Sequence, residues 1–429
     1  MFFDFFLLTA TITIITFLFS SCGCIFFQNF KNKQISLVNP IVIGFSIYII
    51  LLYLFFFTFN FSLNFTLGSS VAILLVTSFF SLQKNHKIIK FVFFENIVII
   101  FPSVFIFIVF SFIYEDNFFV FRGNHWDYFY YLSQSILTHE YNYYELLELN
   151  KQNPILINSQ NFFPYYFTPS FDQIFFHNER PAIFLVYGSL FALPFNNIFF
   201  ATFIFKIFLS SLSGCALFNI VKFIRGKGYG IFFISICFSL SFWIIYLNDT
   251  EALAQIAALP IFISLIFSSI KFYNKKEKIS SSYIYLLCLL ISSLYLLYFE
   301  LFIIAILFYF FCIIFHSNEY IEIFLKYKIN FFYSALFFFL IIIISYQGTL
   351  FPIFDRILTR TIGISDNVFA SSIQLWGYFG SFIIGRESII LDKIIVNNLL
   401  DVSTNIDNFS LIKTLVKLSI DNGFGFFYL

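Results

Sequence analysis

Charge is what this chain has least of. Only 11% of its 429 residues are Asp, Glu, Lys or Arg, while 60% are hydrophobic and the mean hydropathy is +0.89. A water-soluble domain carries about 25% charged and ~45–50% apolar residues. No soluble core could hide this much apolar surface, so the composition places the chain among polytopic membrane proteins built of apolar helices. The net charge is only +1, which leaves no broad basic field and excludes nucleic acid as the expected partner.

Other absences narrow the chemistry. The six cysteines, Cys22, Cys24, Cys215, Cys237, Cys288 and Cys312, form no CxxC pair, and all lie in apolar stretches as buried thiols would. Cys22 follows an apolar run, but the start Met1-Phe-Phe-Asp4 lacks the positive segment of a lipoprotein signal, so the first run reads as a retained helix. There is no GxSxG, Walker A, HExxH or GxGxxG motif. Coupling to a nucleotide is therefore not encoded. His125, His139 and His177 lack metal-ligand spacing, and neither internal repeats nor low-complexity linkers occur. Tryptophan is scarce at 3 copies, whereas phenylalanine reaches 74. With abundant Ile, Asn and Lys, that excess fits the coding bias of an AT-rich genome better than aromatic-cage chemistry.

What is present is a series of apolar runs. A membrane-crossing helix needs about 20 residues, and the pattern predicts spans at 3–27, 38–59, 65–82, 91–114, 198–221, 229–247, 252–270, 281–298, 300–316 and 330–346. The fold expected is an all-α bundle of about ten transmembrane helices with one large external loop. Residues 281–316 can be read as one tilted helix or as a hairpin turning at Tyr298-Phe-Glu300. The hairpin keeps Lys326 and Lys328 on the lysine-rich side and is preferred. Residues 183–193 are too short to span and read as an interfacial or re-entrant helix ended by Pro194. The chain thus divides into a four-helix region (1–114), an external loop (115–197), a second helical region (198–346) and a mixed polar tail (347–429). The tail carries an aromatic patch at Trp376-Gly-Tyr-Phe379. The last residues, Gly423 to Leu429, read like the opening of another apolar segment, as if a longer parent were cut there.

Orientation follows from cations, which concentrate on the cytoplasmic side of a membrane protein. One set of loops carries Lys31, Lys33, Lys84, Lys87, Lys90, Lys222, Arg225 and Lys227, and continues through Lys271, Lys275, Lys276, Lys278, Lys326 and Lys328. The opposite set, up to residue 345, carries Arg122, Lys151 and Arg180 alone. The 115–181 loop is therefore expected outside, and the membrane expected is a bacterial inner (plasma) membrane.

That loop holds eight acids against three bases. Its opening, Gly123-Asn-His-Trp-Asp-Tyr-Phe-Tyr-Tyr-Leu132, predicts a helix from Asn124 to about His139. Asp127, Tyr130, Tyr131 and Gln134 share one face at helical spacing, with Trp126 on the neighbouring face and His125 beside it. A carboxylate can take a proton from an attacking hydroxyl, and rings pack on the apolar faces of a pyranose. A structural reading stands beside this one: Asn124 is a good N-cap, and an acid at Asp127 then answers the exposed N–H groups and the helix dipole, a contribution of about 0.3–1 kcal/mol. Asn248-Asp-Thr-Glu251 is a second acidic cluster, in a short external turn that would need polar residues in any case. Glu300 is expected at the next external apex. Lys206, near the outer end of its span, is expected to snorkel to the interface, where it and Arg180 could hold a lipid phosphate. A divalent cation shared by Asp127, Asp249 and Glu251 is compatible with carboxylate chemistry, though no motif marks it.

At Trp126-Asp-Tyr-Phe-Tyr-Tyr-Leu132, with Arg180-Pro181 closing the same loop, the chain resembles the GT-C type of polytopic membrane glycosyltransferase. The resemblance implies a polyprenyl-phosphate sugar donor, a glycan acceptor and catalysis outside the membrane. It implies a base at Asp127, secondary acids at Asp249 and Glu251, and a donor-phosphate partner at Lys206 or Arg180. Two departures accompany it: the loop follows the fourth span rather than the first, and no Asp-x-Asp or Glu-x-Asp pair joins Asp127. The competing readings are a transporter or flippase of lipid-linked saccharide, a glycan polymerase or ligase, and a non-enzymatic membrane assembly factor.

Overall fold

The computed structural model describes residues 2–27, 37–113, 135–136, 138–145, 182–195, 198–226, 228–241, 253–269, 281–315 and 317–346. It is all-helical, with no strand among the described residues. Helices α1 (Phe2–Gly23), α2 (Pro40–Tyr53) and α3 (Leu63–Ile113) precede the long loop, and α4 (Ile183–Gly188) follows it. Then come α5 (Ile198–Arg225), α6 (Tyr229–Ser239), α7 (Leu253–Ser268) and α8 (Ser281–Leu297). The described chain ends with α9 (Phe299–Phe315), α10 (Ser317–Lys326) and α11 (Lys328–Tyr346). Four helical stretches among the described residues are long and apolar enough to cross a membrane: Phe6–Phe26, Pro40–Thr58, Leu63–Ile106 and Ile204–Arg225. A fifth arises if α9 and the 320–326 part of α10, which meet at 102°, are taken together.

The helix ends are written locally. Asn39 caps α2 by accepting from the Ile41 amide at 3.1 Å, with Pro40 at the first helical position, where its missing N–H costs nothing. Gly226, with φ +84°, stops α5 immediately after Lys222 and Arg225, two cations that suit the negative end of the helix dipole.

α3 is two rods. Asn85 breaks the helical backbone at φ −133°, ψ 27°. In a straight helix residues 78 and 96 would stand about 27 Å apart. Instead, Ser78 meets Ser21 at 2.7 Å and Asn96 meets the adjacent Ser20 at 3.0 Å. Two neighbouring serines cannot bridge 27 Å, so the chain folds back sharply at Asn85, between the segments 65–82 and 91–114 separated on sequence grounds. Lys84, Lys87 and Lys90 are exposed around this bend.

The second half packs as hairpins. Tyr283 of α8 donates to the carbonyl of Ser268, and at the other end Gln255 of α7 meets Tyr298 at 2.6 Å, so α7 and α8 run antiparallel. Tyr309 of α9 reaches the Leu265 carbonyl at 2.8 Å, which makes α9 parallel to α7 and therefore antiparallel to α8. The 281–316 stretch is accordingly a hairpin broken at Tyr298, not one long helix. Asn330 meets Tyr285 at 2.8 Å, and Tyr295 packs on Phe338 at 5.6 Å, so α11 returns parallel to α8.

Close approach holds α1 against α2. A Cβ on Gly44 would fall on the backbone of Phe19, and one on Gly23 would fall on the Pro40 carbonyl. Only glycine lets these backbones meet, as at small-residue helix contacts in membranes. The core runs through α1, α2, α4, α5, α7 and α8, including Ile41, Phe45, Phe184, Phe208, Ala257 and Leu294. By contrast, α9 and α11 leave Phe310, Phe311, Phe332 and Phe339 exposed, as lipid-facing helices do.

Candidate functional site

The two ends of the bundle differ in kind. At one end lie the Asn85 bend, the C-termini of α1 and α5, and the start of α2. Lys222 pairs there with Glu95 at 2.5 Å and lies over the rings of Phe91 and Phe218. Next to this pair, Asn39 donates to Asn96 Oδ1 at 2.8 Å and to the Cys215 carbonyl at 2.9 Å, with Asn219 at 3.4 Å. All three asparagines are buried. This is the end rich in cations and expected to face the cytoplasm.

The opposite end collects the elements that flank the long loop. Asn60, in the turn between α2 and α3 with φ 54°, accepts from the Tyr144 amide at 2.9 Å. Tyr143 is buried against Phe57 at 5.0 Å. Burial first, and the neighbouring Tyr144 second, push its phenol well above the ordinary tyrosine range. Asn142 and Glu145 exchange amide and side-chain bonds of 2.8 and 3.0 Å, a small capping box that starts a helical turn.

α4 sits within this end. All six of its residues are buried, the Ala182 amide bonds the Leu296 carbonyl at 3.1 Å, and Tyr187 packs edge-on against Phe205 of α5 at 5.7 Å. The short helix expected within residues 183–193 is present as α4, enclosed by protein, with residues 191–193 half-buried beyond it.

Lys206 belongs to the same end, one residue past Phe205. It is 3% exposed and therefore held inside the bundle instead of snorkelling to the interface. Glu300 lies in the first turn of α9, two residues beyond Tyr298, where a carboxylate also suits the positive end of that helix. Glu300 follows the Gln255–Tyr298 bond, which ties α7 to the break between α8 and α9. Gln255 and Tyr298 were not singled out from sequence. Their only signal was an amide inside the apolar run 253–268 and a tyrosine at the expected hairpin apex.

The other expected site residues, His125, Trp126, Asp127, Tyr130, Tyr131, Gln134, Arg180, Asp249 and Glu251, lie outside the described residues. Of the helix expected over 124–139, residues 135, 136 and 138–139 are described and helical. Among the described residues no three His, Cys, Asp or Glu side chains gather as a metal site. No family model, curated protein or solved structure matches the chain.

Proposed function

We propose that this chain is a ten-span membrane glycosyltransferase of the GT-C kind, seated in a bacterial plasma membrane. In this reading it moves a sugar from a polyprenyl-phosphate donor to a lipid-linked or surface glycan acceptor. The observation that carries the reading is the company kept at the outward end. Buried Lys206, the enclosed helix α4 and the Glu300 turn lie at the end of the bundle that bears the long loop, and the sequence of that loop sets a carboxylate among tyrosines.

The chemistry is a displacement at the anomeric carbon. Asp127 accepts the proton of the acceptor hydroxyl, whose oxygen forms the new glycosidic bond as the bond from sugar to phosphate breaks. Lys206 or Arg180 offsets the charge left on the phosphate, and His125, Trp126, Tyr130, Tyr131 and Gln134 hold the sugar. Asp249, Glu251 and Glu300 supply further acidic groups at the same membrane face.

The test is a mass-spectrometric profile of surface glycans and polyprenyl-linked saccharides in wild-type, deletion and Asp127→Asn cells. The expected outcome is a glycan short by one sugar, the same in deletion and point variant, with the variant protein present at normal level in the membrane. A normal glycan in the Asp127→Asn strain would remove Asp127 from the mechanism.

A second reading draws on the buried polar seam of Ser20, Asn39, Asn96 and Asn219, since polar groups inside spans often mark a transport path. A flippase of lipid-linked saccharide would leave complete glycan on its carrier at the inner leaflet of the deletion strain, so the same profile separates the two.

A further inference from the structure

The interface among α1, the second rod of α3 and α5 is tied at one end and open at the other. At the lysine-rich end, Ser20, Asn39, Asn96 and the Cys215 carbonyl are joined by hydrogen bonds of 2.8–3.0 Å, and Glu95 pairs with Lys222. At the outward end the same three helices enclose a cavity of about 280 Å³. Its floor is Ile12, Ile100 and Ile204, each at most 4% exposed, and its rim is Phe105, 63% exposed. Leu8, Thr9, Phe101 and Val104 complete the wall, so the lining is hydrocarbon apart from one threonine hydroxyl.

We infer that this wedge is a lateral binding groove for one acyl chain of a phospholipid in the outer leaflet. The inference does not depend on the transferase reading. Three observations carry it. The groove lies between three stretches long and apolar enough to cross a membrane, so hydrocarbon is the medium at its mouth. Phe105 makes it continuous with the exposed apolar belt of α3 that includes Phe94. The polar ties at the far end stop a chain from passing through, so it enters from the outward side. The volume holds on the order of ten methylene groups at interior packing density, a large part of one acyl chain. A polyprenyl chain of several dozen carbons would far overfill it.

The test uses the full chain in nanodiscs of phosphatidylglycerol carrying a diazirine along one acyl chain, with adducts mapped by mass spectrometry after irradiation. The expected result is label on the buried floor, Ile12, Ile100 or Ile204, as well as on the rim. Equally buried residues away from the groove, such as Ile49 and Leu212, should carry none. Val104→Phe, which fills the groove, should remove at least nine-tenths of the floor label and leave the rim label unchanged in monodisperse protein. Thr9→Leu serves the same purpose if Val104→Phe does not fold. Label confined to exposed positions such as Phe105 and Phe94 in the wild type would overturn the inference. Floor labelling abolished by equimolar polyprenyl phosphate, but not by excess unlabelled phosphatidylglycerol, would overturn the assignment to a phospholipid.

Discussion

The lysine-rich end of the bundle and the loop-bearing end are built on different principles. At the first, long helices meet backbone to backbone at Gly23 and Gly44, and buried amides and an ion pair close the remaining gaps. At the second, short or irregular pieces are fitted together: the turn at Asn60, the buried α4, the break at Tyr298 and the cavity behind Phe105. The difference teaches where this fold stores stability and where it leaves room for chemistry. Segments with few mutual ties open at lower free energy, and binding sites draw on them.

The contrast can be broken most severely at Gly44. Gly44→Val forces side-chain carbons into the Phe19 backbone, which cannot yield as a flexible side chain would. The expected loss is about 3 kcal/mol or more, the upper end of overpacking penalties, read as a lowered unfolding midpoint in detergent. A midpoint unchanged from the wild type would show that α1 and α2 do not meet there.

Next in size is the ion pair. Lys222→Met removes the cation that pairs at 2.5 Å with the Glu95 carboxylate, itself 9% exposed. The side chain of Lys222 is itself 23% exposed, so the cost should fall at about 2 kcal/mol, between a surface pair and a fully buried one. Glu95→Gln added to Lys222→Met should recover at least half of it in a double-mutant cycle. Additive losses would mean the two groups are not coupled.

Asn96→Leu should cost about 1 kcal/mol, since hydrogen bonds between membrane helices are individually modest. It removes one acceptor of Asn39 and the donor to Ser20. Hydrogen exchange should then rise around Asn39 and Cys215 while the Tyr143 segment stays as it was. Equal loosening at both ends would erase the distinction.

The smallest effect belongs to the loop-bearing end. The Tyr143 phenol is pushed up by burial, so the folded chain holds that proton more tightly than an unfolded chain does. The resulting stability is fully present below the ordinary tyrosine range, near pH 10, and is lost as pH rises through the folded value. Alkaline titration should loosen residues 138–145 before the glycine contacts of α1 and α2. Tyr143→Phe should abolish that local step, as read by proteolysis or hydrogen exchange.

Much of the helical plan was legible in the chain, because apolar periodicity and length are one-dimensional properties. Each expected segment overlaps a helix, but among the described residues only four stretches, or five with the bent pair, are long and apolar enough to span, and α6 ends at Ser239. The break between 65–82 and 91–114 was signalled by Lys84, Lys87 and Lys90, and the structure turns at Asn85. The hairpin at Tyr298 followed from keeping Lys326 and Lys328 with the other cations. The site was far less legible. Lys206 was expected at the interface and is enclosed, Gln255 went unremarked, and Tyr298 was read only as a turn residue. A sequence shows that a residue is polar, but not whether the packed chain buries it.

What the chain marks by itself is its apolar, helical class and an uneven distribution of cations among its loops. With 11% charge and 60% apolar residues, no fold could make it soluble, and the lysines separate the loops into two classes whatever the packing. What only the tertiary structure decided is which polar groups meet: Asn39 with Asn96, Glu95 with Lys222, Gln255 with Tyr298. The tertiary structure also decided which apolar residues are left apart to form a groove. Hydropathy sums along one helix at a time, whereas burial and pairing depend on side chains that lie 43 to 127 positions apart and meet only when the helices pack.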